Sequence, residues 1–253
     1  QYELKSPLEI YCKLSLLSLL IMGHGFSTRI LAQNLKKEKL NALSDQKYQA
    51  SPCFNAKNGN IYFSEARPGE DKDVLIAEWD GKQWTRNKKN PFVFNNSIDN
   101  EVGHISENGE YLYFQKGVFD DSTNKMVYGI FKSFILEKGP SKPKKQRILY
   151  FKNRSTDQSF TVDQSDSIMI ISAENYSSYG VEDLYVSFKT ASNSWSEPEN
   201  LGPVINTKFE EFTPFLAEDN KTLYFSSNGH DNGYGSKDIW VSHRLDDSWK
   251  NWS

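Results

Sequence analysis

Cysteine, methionine and histidine are all scarce in this chain. Its 253 residues include two cysteines, three methionines and four histidines. Cys12 falls in the N-terminal apolar segment described below, which leaves Cys53 as the one cysteine of the rest of the chain. A single cysteine cannot form an intramolecular disulfide, so a fold held together by disulfides is excluded. Cys53 is expected to be a buried, inert thiol.

A strong charge bias is absent as well. The net charge of −3 argues against a nucleic-acid-binding protein. The chain has no G-x-S-x-G nucleophile elbow and no phosphate-binding P-loop. None of the histidines stands at metal-ligand spacing from a cysteine, a carboxylate pair or another histidine. We therefore expect no catalytic residue that a motif can identify, no metal and no cofactor.

The N-terminus has the pattern of a secretory signal peptide. Lys13 precedes the apolar run "LSLLSLLIM" at 14–22, which is too short to span a bilayer. A small residue, Ala32, follows at a plausible cleavage position. These features predict a signal peptide over 1–32, and the alternative is a buried helix of the domain. The Lys-rich segment 33–47 is expected to be a linker or a short helix, so no membrane span remains after cleavage.

Aromatic residues are abundant, at 14% of the chain, and they recur in a repeated segment. "SPCFNAKNGNIYFSE" at 51–65 matches "VGHISENGEYLYFQK" at 102–116 and "TPFLAEDNKTLYFSS" at 213–227, and "SFTVDQSDSIMIISA" at 159–173 is a weaker copy. The anchor positions of the four copies are Phe63, Phe114, Ile171 and Phe225, and a Pro or Gly precedes three of them by eleven residues: Pro52, Gly103 and Pro214. Asn-Gly or Asp-Asn pairs within the copies predict tight hairpin turns.

In three of the four repeats the second half starts with an Asp and ends with a Trp. "DVLIAEWDGKQW" begins at Asp73 and ends at Trp84, and the matching pairs are Asp183 with Trp195 and Asp238 with Trp249. In the second copy "GIFKSF" at 129–134 fills the strand without either residue. The four units extend over about 48–98, 99–155, 156–209 and 210–253.

Each unit therefore reads as four β-strands, and units of about 40–55 residues predict an all-β fold, a β-propeller of four-stranded antiparallel blades. A β-sandwich is the alternative, but a sandwich does not repeat its sequence at this spacing. The segment 33–47 has no alternating apolar pattern that would make a closing strand. We therefore expect four blades in an incomplete ring that belongs to a larger propeller.

The segment "WSEPENLGPVINTKFEEFTPFLAEDNKTLYFSSNGHDNGYGSKDIWVS" at 195–242 resembles the WD40-like repeat of TolB-type β-propellers. It is most similar to the variant found in envelope proteins that also carry an OmpA-type domain. The resemblance extends over about 48–252. It implies export to the periplasm, the outer membrane or the surface of a Gram-negative bacterium, and it implies little about activity.

Polar residues near the predicted start of each innermost strand are the candidate ligand site. In a propeller these positions converge on one mouth of the central channel, where His104 is also placed. The candidates are Gln49, Asp99, Asn100, His104, Asp157, Glu210 and Glu211. The alternative is that they hydrogen-bond to the backbone of neighbouring blades.

These observations favour a secreted, envelope-associated propeller that acts as a non-enzymatic scaffold for a protein or glycan partner. Two alternatives stay open. One is a propeller glycan hydrolase with carboxylates at the channel mouth, because glycoside hydrolysis needs two of them. The other is the accessory propeller of a peptidase.

Overall fold

The computed structural model describes residues 48–66, 70–87, 92, 99–120, 123–137, 139–155, 157–231, 233 and 235–253. Within these residues the chain forms sixteen β-strands and no helix. The predicted signal peptide and linker lie outside the described residues and stay predictions. The chain divides into two compact units, Gln1–Lys144 and Lys145–Ser253, and each is described by itself.

The first unit contains two antiparallel sheets in which consecutive strands are neighbours. The first sheet consists of β1 (Tyr48–Phe54), β2 (Ile61–Ala66), β3 (Asp73–Trp79) and β4 (Trp84–Arg86). The second consists of β5 (Asn100–Ile105), β6 (Tyr111–Asp120), β7 (Lys125–Leu136) and β8 (Gly139–Pro140). The two-residue strand β9 (Lys144–Lys145) lies at the boundary between the units.

The second unit repeats this arrangement. Its first sheet consists of β10 (Ser159–Val162), β11 (Ile168–Ala173), β12 (Asp183–Phe188) and β13 (Glu199–Asn200). Its second sheet consists of β14 (Glu211–Leu216), β15 (Thr222–Ser227) and β16 (Asp238–His243). In the place of a fourth strand, this last sheet has a single antiparallel bridge between Arg244 and Trp252.

The turn residues act as the sequence predicts. Gly59, Gly109 and Asn220 lie in the hairpins that join the first two strands of their sheets, with φ of 76°, 65° and 52°. Glycine and asparagine adopt this left-handed conformation more readily than other residues do. The predicted turns therefore determine where the first strand ends in these three sheets.

The recurring Pro or Gly lies at a β-bulge in the innermost strand. The register of β1 with β2 shifts between Ala50 and Cys53, and the strand pairs β5–β6 and β14–β15 shift at the matching places. Ser51 and Thr213, which precede prolines, have positive φ. Proline has no N–H to contribute to the ladder, and a bulge leaves its residue unpaired. The β10–β11 pair, where Phe160 takes the proline position, has no such shift.

The cores form where neighbouring sheets of one unit pack together. In the first unit, Tyr62 and Ile76 of the first sheet share a buried cluster with Leu112 and Phe114 of the second. The second unit has a matching cluster of residues from both of its sheets: Ile170, Leu184, Val186, Leu216, Leu223 and Phe225 among others. The four anchor residues predicted from the repeat are all buried.

The register corrects one predicted repeat position. Trp84 pairs with Trp79 in the first sheet, and Trp195 pairs with Lys189, each partner lying six residues after the recurring Asp. In the last sheet the same place, Arg244, pairs with Trp252 and not with Trp249. The prediction that Trp249 is equivalent to Trp84 and Trp195 was therefore wrong, because the turn after Arg244 is longer. Trp249 is buried and has a positive φ.

Four antiparallel sheets, each formed by consecutive strands, make this chain an all-β β-propeller. Every sheet of the described residues uses strands from one stretch of the chain, and no closed ring is indicated. The limits predicted for the individual domains stay predictions.

Candidate functional site

Six of the seven predicted site residues lie at or just before the beginning of an innermost strand, and His104 lies near the end of β5. In the first unit, Asp99 directly precedes β5, Asn100 is its first residue, and His104 lies within it. Gln49 lies in β1, opposite Glu65, and its side chain is outside the described part. In the second unit, Asp157 precedes β10, Glu210 precedes β14, and Glu211 is the first residue of β14.

The absence of a bulge in β10 changes which of these residues are equivalent. Ser159 pairs with Ser172, and the matching residue of the last sheet, Phe212, pairs with Ser226. Asp157 lies two residues before Ser159, and Glu210 lies two residues before Phe212, so Asp157 is equivalent to Glu210. The sequence spacing had instead made Asp157 equivalent to Glu211. The structural equivalents are therefore Asp99, Asp157 and Glu210, and their carboxylates occupy one recurring place before the innermost strand.

In the first unit this place is electrostatically balanced. Asp99 accepts a hydrogen bond from the Lys72 backbone N–H at 2.8 Å, and its second oxygen lies 3.3 Å from Lys116 Nζ. Burial acts to raise the pKa of Asp99, but the hydrogen bond from Lys72 and the charges of Lys116 and Lys72 hold that pKa below its ordinary value. Lys72 Nζ also lies 3.8 Å from a carboxylate oxygen of Glu101. Asp99 is thus part of a compensated ion-pair group.

Asn100 and Glu211 join neighbouring sheets within their units. The Asn100 N–H donates to the Lys72 carbonyl at 2.7 Å, and the Glu211 N–H donates to the Glu182 carbonyl at 2.8 Å. The fully buried Glu211 carboxylate accepts hydrogen bonds from the Thr207 N–H, the Thr207 hydroxyl and the Ser227 hydroxyl, at 2.7–2.9 Å. The bonds to the adjacent sheet are made by main-chain N–H groups, whereas the Glu211 carboxylate bonds the loop before β14 and β15 of its own sheet. The role of the two side chains as ligand residues stays a prediction.

In the second unit a buried carboxylate that sequence reasoning missed lies beside the candidates. Glu182 is only 3% exposed, and its Oε1 accepts a hydrogen bond from the Ser155 hydroxyl. Its Oε2 is buried without a hydrogen-bond partner among the described residues. Burial and the negative charges of Glu210 and Asp157 raise the pKa of Glu182, while the Ser155 hydrogen bond acts in the opposite direction.

The neighbours of Glu182 are organised around it. The Asp157 N–H donates to the Ser155 hydroxyl oxygen at 2.9 Å, so Ser155 links the two acidic residues. Glu210 forms an ion pair with Lys237 at 3.0 Å and is half-buried. We call Ser155, Asp157, Glu182 and Glu210 the acidic cluster.

The comparison with the first unit explains why this cluster is unusual. Lys72, Glu182 and Lys237 each directly precede the recurring Asp of their repeats. A lysine beside Asp99 therefore becomes a glutamate beside Glu210. The sign of the charge at this position is reversed, so that Glu182 has the negative charge of Glu210 as its neighbour, while Lys237 forms an ion pair with Glu210. An alignment of the repeats could have revealed this difference, because position 182 is a glutamate where two other copies have a lysine.

The recurring Asp residues themselves have a structural role. Asp183 accepts hydrogen bonds from the N–H groups of Tyr179 and Gly180 and from the Asn200 amide, at 2.7–3.2 Å. Burial raises the pKa of Asp183 despite these contacts. Asp238 accepts from the Gly235 N–H at 3.1 Å. These carboxylates hold the loop that precedes the third strand, and Asp73 begins the equivalent strand of the first sheet.

A groove of about 780 Å³ lies beside β13 in the second unit. Its lining includes Tyr179, Glu199 and Lys250, and Glu199 is paired with Lys250 at 3.3 Å. This pairing leaves the groove without the uncompensated buried carboxylate that distinguishes the acidic cluster. Within the described ranges, no three His, Cys, Asp or Glu side chains are grouped as a metal ion would require. No helix of the described part is long and apolar enough to cross a membrane.

Comparisons with solved structures agree with the propeller fold. The chain is similar to TolB from Acinetobacter baumannii, with a TM-score of 0.50 and 12% identity over 80% of this chain and 42% of that one. It is also similar to a thermostable family-43 glycoside hydrolase, with a TM-score of 0.51 and 10% identity over 79% of this chain and 72% of that one. A third likeness is to the β-propeller domain of the Trilobed protease from Pyrococcus furiosus, described as having an open velcro topology, with a TM-score of 0.42, 13% identity and coverage of 79% and 55%.

At these identities the likeness shows the fold alone. The chain spans about two-fifths of the length of the TolB structure. No protein-family profile matches the chain, and no curated protein sequence matches it. The sheets and the first two likenesses thus define the fold class of this chain, a β-propeller of antiparallel sheets.

Proposed function

We propose that this protein is an exported, envelope-associated β-propeller that acts as a non-enzymatic binding scaffold, with the acidic cluster as its ligand site. The observation that carries the proposal is the buried carboxylate of Glu182. One of its oxygens has no partner among the described residues, and two further acidic residues lie close enough to raise its pKa. Leaving a buried acceptor unsatisfied costs free energy. The exposed Asp157 and the half-buried Glu210 beside it are the carboxylates that a ligand can reach.

The chemistry of the cluster favours a ligand rich in hydrogen-bond donors. Carboxylates accept hydrogen bonds, and a pair of sugar hydroxyls can donate to two carboxylate oxygens at once. A glycan of the cell envelope is therefore the partner that we propose to test first. The likeness to TolB and the signal-peptide pattern support an envelope location, and a protein partner in that compartment is the other candidate.

A glycan hydrolase is the second candidate function, and one specific observation favours it. Hydrolysis of a glycosidic bond requires one protonated and one ionised carboxyl group. Glu182, whose pKa is raised, would be the protonated group, and Asp157 and Glu210 beside it would be the candidates for the second carboxyl group. The propeller of the family-43 hydrolase is similar in fold. No described residue favours the peptidase-accessory alternative.

One experiment distinguishes these functions. Soluble peptidoglycan fragments are titrated into the purified full chain by calorimetry, and the same mixtures are assayed for newly released reducing ends. We expect saturable binding without release, and binding weakened at least about tenfold, or by roughly 1.4 kcal/mol, in Glu182→Gln and Asp157→Asn. The matched control is Glu174→Gln, which removes a carboxylate of the same unit that is paired with Arg154.

The outcomes are distinct. Release of reducing ends that Glu182→Gln abolishes would establish the hydrolase and overturn the scaffold. Binding that is equal in wild type and Glu182→Gln would place the site elsewhere. Absence of any binding would overturn the proposed glycan partner.

A further inference from the structure

An exposed tyrosine lies beside the acidic cluster in the second unit. Tyr176 is in the loop between β11 and β12 and is 74% exposed. The guanidinium carbon of Arg154 lies 5.5 Å from the centroid of its ring. Arg154 directly precedes Ser155, whose hydroxyl donates a hydrogen bond to Glu182. The exposed ring therefore lies against the same short segment that contributes Ser155 to the acidic cluster.

Hydrogen bonds of Asn153 hold this loop beside Asp157. Asn153 Oδ1 accepts from the Glu174 N–H at 3.0 Å, and Asn153 Nδ2 donates to the Asp157 carbonyl at 3.0 Å. The Arg154 backbone N–H donates to the Glu174 carbonyl at 2.9 Å. Asp157 is the exposed carboxylate of the acidic cluster, and Tyr176 follows Glu174 by two residues. The ring and the carboxylate are thus carried by two neighbouring segments that are bonded to each other.

The loop that carries Tyr176 is anchored to the core of its sheet. The Tyr176 N–H donates to Asn175 Oδ1 at 2.9 Å, and Asn175 is buried. The Asn175 N–H donates to the Ser178 hydroxyl oxygen at 3.0 Å, and that oxygen lies 2.8 Å from the hydroxyl of the fully buried Tyr185. The backbone of Tyr176 is therefore held in place while its ring faces solvent. A group that is fixed in advance loses little conformational freedom when a ligand packs on it.

We propose that Tyr176 is a stacking platform for one ring of a glycan whose neighbouring ring is bound by Asp157 and Glu210. This inference rests on the proposed function, and it narrows the ligand to glycans of two or more rings. The C–H groups on one face of a sugar ring form an apolar surface, which packs on the electron-rich face of an aromatic ring. The hydroxyls of the neighbouring ring can then donate to the carboxylates. An exposed but fixed tyrosine beside hydroxyl acceptors supplies both parts of this recognition.

Calorimetric titration of the purified full chain with soluble peptidoglycan fragments of at least two sugar rings tests this inference. We expect Tyr176→Ala to weaken binding at least about tenfold, because the apolar contact with the sugar ring is lost. Tyr176→Phe keeps the ring and should bind as tightly as wild type. The matched control is Tyr179→Ala, at an exposed tyrosine of the same loop that lines the groove beside β13. An exposed ring can be removed with little effect on the fold.

Chemical modification of the tyrosines provides a second measurement on the unaltered chain. Tetranitromethane nitrates exposed tyrosine rings, and peptide mass mapping locates the nitrated residues. We expect a saturating concentration of the fragments to slow the nitration of Tyr176 several-fold and to leave that of Tyr179 unchanged. A role of Tyr176 that is only structural would not produce this protection.

The outcomes separate this inference from the function on which it rests. Weaker binding in both Tyr176→Ala and Glu182→Gln, with protection of Tyr176, supports the inference. Equal binding by wild type and Tyr176→Ala, or binding that leaves Tyr176 unprotected, overturns the platform, and a loss of affinity in Glu182→Gln would then keep the acidic cluster as the ligand site. Weaker binding in Tyr176→Ala alone overturns the link to the acidic cluster. Absence of binding to the wild-type chain overturns the proposed glycan partner and this inference together.

Discussion

Trp195 is the side chain whose removal most directly tests the packing of the repeat. It is fully buried, its Nε1 lies 3.4 Å from Gln146 Oε1, and Lys189 Nζ lies 4.4 Å from its ring centroid. Its backbone bonds to Arg147 and Leu149 on the neighbouring segment. Replacement by Ala would leave a large cavity and keep those backbone bonds in place.

The expected loss can be estimated from burial. Replacing a fully buried Trp with Ala costs about 3–5 kcal/mol, and the lost contact with Lys189 adds about 0.5–1 kcal/mol. Trp84 is the matched control, because it occupies the equivalent paired position but is only half-buried. Trp84→Ala should cost about half as much, in proportion to the apolar surface that it buries.

Guanidinium chloride unfolding followed by far-ultraviolet circular dichroism measures both losses without depending on tryptophan fluorescence. The slope of the transition should stay unchanged while the midpoint falls. If Trp195→Ala lies within about 0.5 kcal/mol of wild type, as ordinary surface substitutions do, then the described packing of Trp195 is wrong. A loss for Trp84→Ala larger than that for Trp195→Ala would refute the argument from burial.

Three further predictions concern titration and processing. Because the folded-state pKa of Glu182 is raised, the folded chain binds more protons than the unfolded chain, and its stability should fall as the pH rises from about 4.3. The midpoint of urea unfolding should therefore decline less with pH in Glu182→Gln than in wild type. Identical pH profiles for the two proteins would contradict this prediction. Burial raises the pKa of Cys53 to about 12, so iodoacetamide at pH 8 should modify it only after unfolding, as peptide mass mapping would show, and rapid labelling of folded protein would count against it. Exported protein should begin at residue 33, and N-terminal sequencing that finds residues 1–32 intact would exclude cleavage after Ala32.

Much of the fold could be predicted from the sequence because the information is local. An alternating apolar pattern and a buried anchor residue recur in the four repeats, with an Asn-Gly turn in two of them and an aromatic anchor in three, and each of these features acts within a few residues of itself. The positive φ of Gly59 and Gly109 and the burial of Phe63 and Phe114 follow from these local preferences. The bulge is also a local feature, because it lies at the recurring Pro or Gly, so it could have been predicted from the sequence.

The errors arose where spacing along the chain and register across strands disagree. A bulge inserts one residue into three of the innermost strands and not into β10, which shifted the apparent equivalent of Asp157 by one position. A longer turn after Arg244 places Trp252 where spacing had suggested Trp249. In both places the equivalent residue is determined by backbone pairing between strands, which cannot be deduced by counting residues along the chain.

The sequence by itself determined the class of fold, the repeat and the residues from which a site could be built. Only the tertiary structure decided which polar residues are compensated: it places Asp99 beside Lys72 and Lys116, and it places Glu182 beside Ser155 and Glu210. It also decided that Tyr176 is exposed and lies against Arg154, beside the acidic cluster. The physical reason is that strand and turn preferences act between near neighbours in the chain, whereas burial and charge compensation depend on groups that the fold brings together from distant positions.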